Sequence, residues 1–256
     1  MSKPMLEVSG LQMRFQGITA LDDVSFAMDG GTITSLIGPN GAGKTTLFNC
    51  VTGMYTPTAG KVRLEGEDIT GMAAHRIARH KIARTFQNLA LFSGLTVLDN
   101  LLVGAYLQGD SGLLQGAFLS RRARAEQRAA VRSAHEVLEF LGMQDTAGLL
   151  PSELPYGRQK QVEFARALMQ KARLVLLDEP MAGMSQAEKA AMTGLIQRVR
   201  AQYGITFLIV EHDIPVIMDI SDKIVVLDFG RKIADGAPQV VQDNPAVIAA
   251  YLGTEH

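Results

Sequence analysis

Three short, mainly apolar segments are the clearest sign of the chain's architecture. They lie at 33–37, 174–177 and 205–210, and polar or glycine-rich segments bound each of them. The four consecutive apolar residues at 174–177 are typical of a central parallel strand that helices cover on both faces, and 205–210 is a similar buried-type strand. The pattern therefore predicts a central parallel sheet.

Weaker patterns predict shorter strands near the beginning of the chain. Leu6 to Val8 and Val24 to Met28 have the composition of strands, and Phe15 lies in the connection between them. Lys61 to Leu64, followed by Gly66, is expected to be another short strand with a turn. These segments predict a small β region beside the central sheet.

Helical spacing dominates the middle of the chain and returns near its end. The segment from about 95 to 170 is expected to be mainly helical. A capping box at Ser185, with a glutamate three residues later, predicts a helix that stops at Gly204. Residues 223–233 are expected to form a hairpin, and Pro245 begins a last short helix that ends near 252.

A glycine-rich loop follows the first apolar run and precedes a helical pattern. The expected cofactor-binding residues of this loop are Gly38, Pro39, Asn40, Gly41, Ala42, Gly43, Lys44, Thr45 and Thr46. Its glycines let backbone N–H groups approach phosphate oxygens, and the positive end of the following helix faces the anion. Lys44 is expected to reach the β and γ phosphates, and Thr45 to offer its hydroxyl to Mg²⁺.

Residues with suitable catalytic chemistry follow the other two apolar runs. Asp178 is expected to hold Mg²⁺ through water, and Glu179 to orient or deprotonate the water aimed at the γ phosphate. His212 follows the third run and can donate a hydrogen bond to the γ phosphate. Because active groups gather at the carboxyl ends of parallel strands, we expect all three to face the glycine-rich loop.

Two further residues are weak candidates when taken alone. The neutral amide oxygen of Gln87 can approach Mg²⁺ or the attacking water without adding charge, so Gln87 joins both the metal ligands and the catalytic residues. Phe15 can stack on a purine, a contact worth roughly 1–3 kcal/mol by analogy with base stacking. A lone aromatic residue of this kind is more typical of a core, so this interpretation depends on the other motifs.

Bulk composition excludes several classes of protein. A net charge of −1 over 256 residues argues against a nucleic-acid binder held by positive charge. The single cysteine, Cys50, cannot form an internal disulfide and is expected to be a small core residue. No secretory signal pattern begins the chain, and the most apolar stretch, 89–107, is too polar to span a bilayer. Any membrane role is therefore expected to act through partners.

The motifs together resemble those of ABC ATPases, and the resemblance covers essentially the whole chain. The glycine-rich loop, Gln87, the segment 154–159 (LPYGRQ), Asp178-Glu179 and His212 occur in that family's order. Within the family, the chain looks most like one of the two ATP-binding subunits of branched-chain amino acid importers, the LivG type. The segments that carry this narrower match are 83–88 (ARTFQN), 96–100 (TVLDN), 210–213 (VEHD) and 249–253 (AAYLG).

The resemblance implies an α/β fold of the P-loop NTPase class. It implies a RecA-like core with an antiparallel β subdomain and a helical ABC-specific subdomain. The whole of 1–256 is then a single ABC ATPase domain, with its core at about 1–88 and 171–256 and its helical subdomain at about 89–170.

The resemblance also implies a function and a set of partners. The chain is expected to use ATP and Mg²⁺ and to couple ATP hydrolysis to uptake of branched-chain or related amino acids. Two such subunits would pack head to tail, as a heterodimer rather than a homodimer, and Tyr156, Gly157 and Gln159 of the signature segment would complete the partner's ATP site. Two permease subunits and, indirectly, a solute-binding protein would be further partners, with no nucleic acid. The location would be peripheral, at the cytoplasmic face of the cell membrane.

One departure and two alternatives qualify this interpretation. The usual signature has Ser where this chain has Pro155, so a side-chain hydroxyl is missing there. A soluble ABC ATPase acting on nucleic acid or ribosomes is the alternative, but such proteins usually carry tandem domains, coiled coils or basic extensions. A P-loop kinase or GTPase is a third class, and the signature segment argues against it.

Overall fold

The computed structural model describes residues 3–85, 89–106 and 121–252. The strands in chain order are β1 (Leu6–Phe15), β2 (Ile18–Met28), β3 (Ile33–Ile37), β4 (Ala59–Leu64), β5 (Glu67–Asp68), β6 (Ile82–Arg84), β7 (Leu174–Asp178), β8 (Thr206–Val210), β9 (Lys223–Asp228) and β10 (Arg231–Gly236). The α-helices are α1 (Lys44–Val51), α2 (Ala74–Ile77), α3 (Val97–Tyr106), α4 (Arg121–Phe140), α5 (Tyr156–Met169), α6 (Gln186–Tyr203), α7 (Ile214–Ile220), α8 (Pro238–Gln242) and α9 (Pro245–Leu252). The chain divides into two compact units, Thr85–Ala172 and the remainder on either side of it.

The predicted central sheet is present and has the order β10-β9-β3-β8-β7-β6. All neighbouring strands in it are parallel except β9 and β10, which form the expected antiparallel hairpin. Every residue of β3, β7 and β8 is buried, which confirms the inference drawn from the apolar runs. Since β8 lies between β3 and β7, the segments that follow these three strands meet at one edge of the sheet.

A second, antiparallel sheet has the order β2-β1-β4-β5. The prediction of two short strands around Phe15 was wrong, because β1 continues to Phe15 and pairs with β2 as far as Ile18. The register shifts within this pair interrupt the alternation that marks a strand. Gly10 and Asp23 have left-handed backbones, with φ of +59° and +56°, near these shifts.

Helix α1 contributes to the same hydrophobic cluster as both sheets. This cluster contains Leu47 and Phe48 of α1, Leu11 of the antiparallel sheet, and Leu176 and Leu208 of the central sheet. Cys50 also lies in it, and burial raises the pKa of its thiol to about 11. The predicted core role of the cysteine is confirmed.

A smaller cluster connects the last helices to the central sheet. It contains Ile37 of β3, Ile217 of α7, Val241 of α8 and Val247 of α9, with Tyr251 packed against them. The short helix α8 was not predicted. The capping box at the start of α6, its stop at Gly204 and the last helix from Pro245 all follow the sequence pattern.

The unit Thr85–Ala172 contains α3, α4 and α5, and confirms the helical pattern over the residues described there. Helices α3 and α5 approach closely at Gly104, where an added Cβ would lie 2.4 Å from the carbonyl oxygen of Arg166. Ala134 and Leu138 of α4 are buried, and Gly142 follows the helix with φ of +67°. Across the described parts of both units, no helix combines the length and apolar character needed to cross a bilayer.

Candidate nucleotide-binding site

The glycine-rich loop connects β3 to α1, and its path leaves no space for side chains at two glycines. A Cβ on Gly38 would lie 2.1 Å from the carbonyl oxygen of Leu227, and one on Gly43 would lie 2.6 Å from that of Ala20. Gly43 has φ of +100° and immediately precedes the first turn of α1. The loop therefore turns tightly between β2 and β9 and leads directly into the N-terminus of α1.

Lys44 bends back over the loop instead of extending into solvent. Its Nζ donates hydrogen bonds to the carbonyl oxygens of Gly38, at 2.5 Å, and Pro39, at 2.9 Å. Burial lowers the pKa of Lys44, while the negative charges of Glu179 and Asp178 raise it. The ammonium thus lies within the field of both carboxylates at the end of β7, as the sequence predicts.

Asp178 ends β7 and is nearly inaccessible. Its Oδ2 accepts a hydrogen bond of 2.8 Å from Nη2 of Arg84, the last residue of β6. The same guanidinium donates to Oδ1 of Asn49 at 2.6 Å and lies 5.6 Å from the ring centroid of Phe48, both in α1. Arg84 therefore joins the Asp178 carboxylate to the helix that follows the phosphate loop. Sequence reasoning included Arg84 only as part of a motif and gave it no role.

Glu179 has a strained backbone immediately after this strand. Its φ is +49°, in the left-handed region, and its N–H donates to the carbonyl oxygen of Val210 at the end of β8, at 2.9 Å. This conformation costs a non-glycine residue about 1–2 kcal/mol, and such strain is typical of functional positions. The hydrogen bond to Val210 fixes the turn that carries the Glu179 side chain.

The segment after β8 contains an exposed histidine and a buried carboxylate. The side chain of His212 is 68% exposed. Glu211 is buried, and its two oxygens accept hydrogen bonds from the backbone N–H groups of Met181, at 2.8 Å, and His212, at 3.2 Å. Burial raises the pKa of Glu211, and the nearby charge of Glu179 raises it further, while the two backbone hydrogen bonds and His212 lower it.

Glu211 was not among the predicted site residues. The sequence did contain a signal for it, because Glu211 is a carboxylate between a predicted buried strand and His212. Its hydrogen bonds connect the segment after β7 with the segment after β8, so Glu211 holds the turns of Glu179 and His212 in a fixed relation. It acts on the site through other residues.

Phe15 and the hydroxyls of α1 complete the part of the site in this unit. Phe15 is 37% exposed and forms a T-shaped pair with Tyr55, with ring centroids 5.3 Å apart. Thr45 is exposed and Thr46 half-buried in the first turn of α1, while Asn40 and Gly41 are exposed on the loop. Gln87 lies outside the described residues.

The residues predicted to bind Mg²⁺ fit a site that the ion shares with phosphate oxygens. Mg²⁺ commonly uses one or two protein oxygens, together with waters and substrate phosphates. The Thr45 hydroxyl and the Asp178 carboxylate supply oxygens of this kind. In the part of the chain that the structure covers, no cluster of three or more His, Cys, Asp or Glu forms a separate metal cage.

The signature segment lies in the other unit, at the start of α5. Pro155 precedes the helix, whose first intrahelical acceptor is the Pro155 carbonyl, bonded by the N–H of Gln159 at 3.1 Å. The Gln159 side chain donates to the Leu154 carbonyl at 2.9 Å. Tyr156 is exposed, and Gly157 is buried. The N–H groups of the first helical turn are therefore the polar groups that this segment can offer to an anion.

Comparison with known proteins identifies the family. The family model described as "ABC transporter" matches residues 21–182, from β2 to just beyond Glu179. The chain belongs to this family. A second model, "Branched-chain amino acid ATP-binding cassette transporter", matches residues 231–256. The ABC family binds nucleotide, and its transport ATPases hydrolyse ATP.

Relatives of known name are similar over the full length of the chain. The chain is 44% identical to the high-affinity branched-chain amino acid transport ATP-binding protein BraF of Pseudomonas aeruginosa, with 99% of each chain covered. It is 42% identical to the corresponding LivG protein of Escherichia coli strain K12, again with 99% of each covered. Both names describe ABC ATP-binding proteins of the type that the sequence resembles.

Solved ABC cassettes share the fold. A nucleotide-free ATP-binding cassette from an ABC transporter is 33% identical, with a TM-score of 0.85 over 97% of this chain and 98% of that one. The ADP conformation of an ATP-binding cassette is 32% identical, with a TM-score of 0.86 over 98% and 99%. The P-loop NTPase fold with ABC architecture is therefore confirmed.

Proposed function

We propose that this chain is the ATP-hydrolysing subunit of an importer for branched-chain or related amino acids. The proposed ATPase activity is supported by the proximity of three side chains. Lys44, at the start of α1, lies within the field of the carboxylates of Asp178 and Glu179 at the end of β7. The amino acid part is supported by the full-length similarity to BraF and LivG and by the family match at 231–256. A role on nucleic acid or ribosomes is not favoured by these relatives.

The nucleotide would lie across the loop between Gly38 and Thr46. Backbone N–H groups of Asn40, Gly41, Ala42 and Gly43 would hold its phosphates, with Pro39 shaping the turn. Lys44 would exchange its bonds to loop carbonyls for bonds to the β and γ phosphates, and its positive charge suits that exchange. Phe15, which is 37% exposed, would stack on the purine.

The metal would be held by Thr45 in the first turn of α1, by Asp178 at the end of β7 and by Gln87. Mg²⁺, when bound, neutralises charge on the β and γ phosphates. Thr45 would coordinate it directly, Asp178 would hold it through water, and Gln87 would supply an amide oxygen. Arg84 would orient the Asp178 carboxylate for this task because it occupies Oδ2.

Catalysis would then depend on two side chains that follow the strands. Glu179 would accept the proton of the attacking water, or orient that water, from its fixed turn. His212 would donate a hydrogen bond to the γ phosphate, and its exposure leaves it accessible from the side where a second subunit would approach. Glu211 would hold these two turns in a fixed position relative to each other through its hydrogen bonds to Met181 and His212.

The active assembly would be a head-to-tail pair of ABC ATPase subunits, as a heterodimer rather than a homodimer. The first turn of α5, with Tyr156, Gly157 and Gln159, would complete the ATP site of the partner. Two permease subunits would hold the pair at the cytoplasmic face of the membrane, and a solute-binding protein would deliver the amino acid to them. Closure on ATP would drive the permeases, since ATP favours the closed pair only by its higher affinity for it.

Pro155 would make the two ATP sites of a heterodimer unequal. A hydroxyl bonded to a charged phosphate contributes roughly 1.5–3 kcal/mol, and proline cannot supply it. The first-turn N–H groups of α5 would retain part of that interaction. Glu179→Gln in this chain and the matching change in its partner should therefore slow hydrolysis to different extents. Equal rates would contradict the inequality.

Purification from membranes tests the function as a whole. We expect the tagged chain to retain a second ATPase subunit and two permeases. Vesicles that contain this complex, with the solute-binding protein added outside, should take up leucine only with ATP inside. Glu179→Gln should abolish uptake while the complex stays assembled. Retention of ribosomes or DNA instead of permeases would refute the importer function.

A further inference from the structure

The hairpin formed by β9 and β10 lies against the glycine-rich loop at two places. Near the start of the loop, the carbonyl oxygen of Leu227 in β9 occupies the space that a Cβ on Gly38 would need, at 2.1 Å. Near its end, the N–H of Gly230, in the turn of the hairpin, donates a 3.1 Å hydrogen bond to the carbonyl oxygen of Ala42. Gly230 and Ala42 are both buried. The hairpin is therefore part of the support on which the loop is built.

The bond to the Ala42 carbonyl also sets the direction of the next N–H group. The Ala42 carbonyl and the Gly43 N–H belong to one peptide, which is planar and trans, so the two groups point in opposite directions. Because the carbonyl faces Gly230, the Gly43 N–H faces away from the hairpin. This N–H is one of the groups that would hold the phosphates of the nucleotide.

Gly230 is itself held by the neighbouring strand β2. Its carbonyl oxygen accepts a 2.8 Å bond from the N–H of Asp22. The Asp22 carboxylate in turn accepts two bonds, at 2.8 and 2.6 Å, from the guanidinium of Arg231. A Cβ on Gly230 would lie 2.8 Å from the carbonyl oxygen of Ala20, and its φ of +79° favours glycine. Any larger residue at position 230 must therefore displace the turn.

We propose that Gly230 is a positioning residue of the nucleotide site, through which the β9–β10 hairpin orients the Gly43 N–H for phosphate binding. This inference rests on the proposed function, because it assumes that the loop binds nucleotide. It goes beyond that function by giving the hairpin, acting through the peptide between Ala42 and Gly43, a role in ATP affinity.

Displacement of the turn should weaken binding more than it slows the chemical step. If Gly230 shifts, the buried Ala42 carbonyl loses its donor, which is unfavourable, and the peptide can rotate to find another. A rotated peptide no longer presents the Gly43 N–H to a phosphate. The phosphates contact the loop in both the ground state and the transition state, so the lost interaction raises KM and leaves kcat unchanged.

The test compares Gly230→Ala with Gly204→Ala in the purified transporter complex. Gly204 also has a left-handed backbone, with φ of +65°, but no atom of the described residues lies within 4 Å of an added Cβ there. Both substitutions strain the backbone and should lower the melting temperature, while only Gly230→Ala crowds the turn. We expect Gly230→Ala to raise the KM for MgATP about tenfold, the scale of one hydrogen bond to a charged group, with kcat unchanged. Gly204→Ala should leave both constants unchanged.

A milder variant covers the case in which Gly230→Ala does not assemble. Arg231→Ala removes the two bonds that connect the turn to Asp22 and leaves the glycine in place. Since the Arg231 side chain is 72% exposed, we expect a smaller rise in KM, about twofold. Its matched control is Arg173→Ala, which breaks the exposed pair of Arg173 with Glu65 on other elements and should leave KM unchanged.

Amide hydrogen exchange of Arg231→Ala supplies a second readout. The peptide that contains Gly230 should exchange faster than in the unaltered protein, while peptides from β7 and β8 should not change. An unchanged KM in Gly230→Ala, a fall in kcat alone, or an equal rise in KM in Gly204→Ala would overturn this inference and leave the proposed function standing. If the unaltered complex binds no MgATP, the proposed function itself fails and this inference fails with it.

Discussion

Removal of the Arg84 side chain gives the sharpest test of how the site is built. In the Arg84–Asp178 pair the two side chains are only 10% and 6% exposed. Arg84→Ala would leave the Asp178 carboxylate buried without this partner, and breaking a buried pair in this way typically costs about 3–5 kcal/mol. At about 2 °C per kcal/mol for a chain of this size, the melting temperature should fall by roughly 6–10 °C.

A second arginine–carboxylate pair in the same unit supplies the control. Arg173 and Glu65 are joined at 2.6 Å, but their side chains are 56% and 40% exposed. Exposed pairs contribute about 0–1 kcal/mol, so Arg173→Ala should lower the melting temperature by no more than about 2 °C. Differential scanning fluorimetry of both variants at the same concentration gives the comparison.

The origin of the large effect can be separated from lost packing. Combining Arg84→Ala with Asp178→Asn also removes the charge that has lost its arginine, so the double variant should be more stable than the sum of the single effects predicts. Strict additivity would show that the charge of Asp178 does not carry the cost. Equal melting temperatures for Arg84→Ala and Arg173→Ala would refute the reasoning altogether.

Three further predictions concern the nucleotide itself. Lys44→Ala should mainly weaken nucleotide binding, measured with a fluorescent ATP analogue, and unchanged affinity would remove Lys44 from the site. Glu179→Gln should preserve that binding and slow turnover by about a hundredfold or more in a phosphate-release assay, the usual scale for a general base; normal turnover would show that another group is the base. Gly43→Ala should abolish binding, because its Cβ would lie 2.6 Å from the Ala20 carbonyl and φ of +100° strains alanine, whereas circular dichroism should be unchanged; retained binding would mean that the loop can shift.

Local pattern was sufficient for the elements that the site depends on. The mainly apolar segments predicted β3, β7 and β8, and the parallel arrangement of these strands brought Asp178, Glu179 and the segment of His212 to one edge. Buried strands without alternation have few other stable environments. The glycine-rich loop was equally predictable from its residue spacing. The structure shows the physical reason for the glycines, because a Cβ at Gly38 or Gly43 would clash with backbone carbonyls.

The contacts that hold the site together were not predictable from the same patterns. Arg84 meets Asp178 across 94 positions of the chain. Side-chain partners at such a separation depend on the assembled fold, and an arginine at a strand end gives no indication in the sequence of its partner. Glu211 was overlooked because its hydrogen bonds go to backbone groups.

The left-handed turn at Glu179 places conformational stability in opposition to turnover. Glycine adopts this backbone without steric cost, so folding alone would favour it at position 179, where the proposed hydrolysis mechanism requires a carboxylate. A selection for thermal resistance that does not also select for ATP hydrolysis should therefore favour glycine at this position. The resulting proteins would be more stable but would hydrolyse little ATP. Libraries intended to harden this protein should keep position 179 constant.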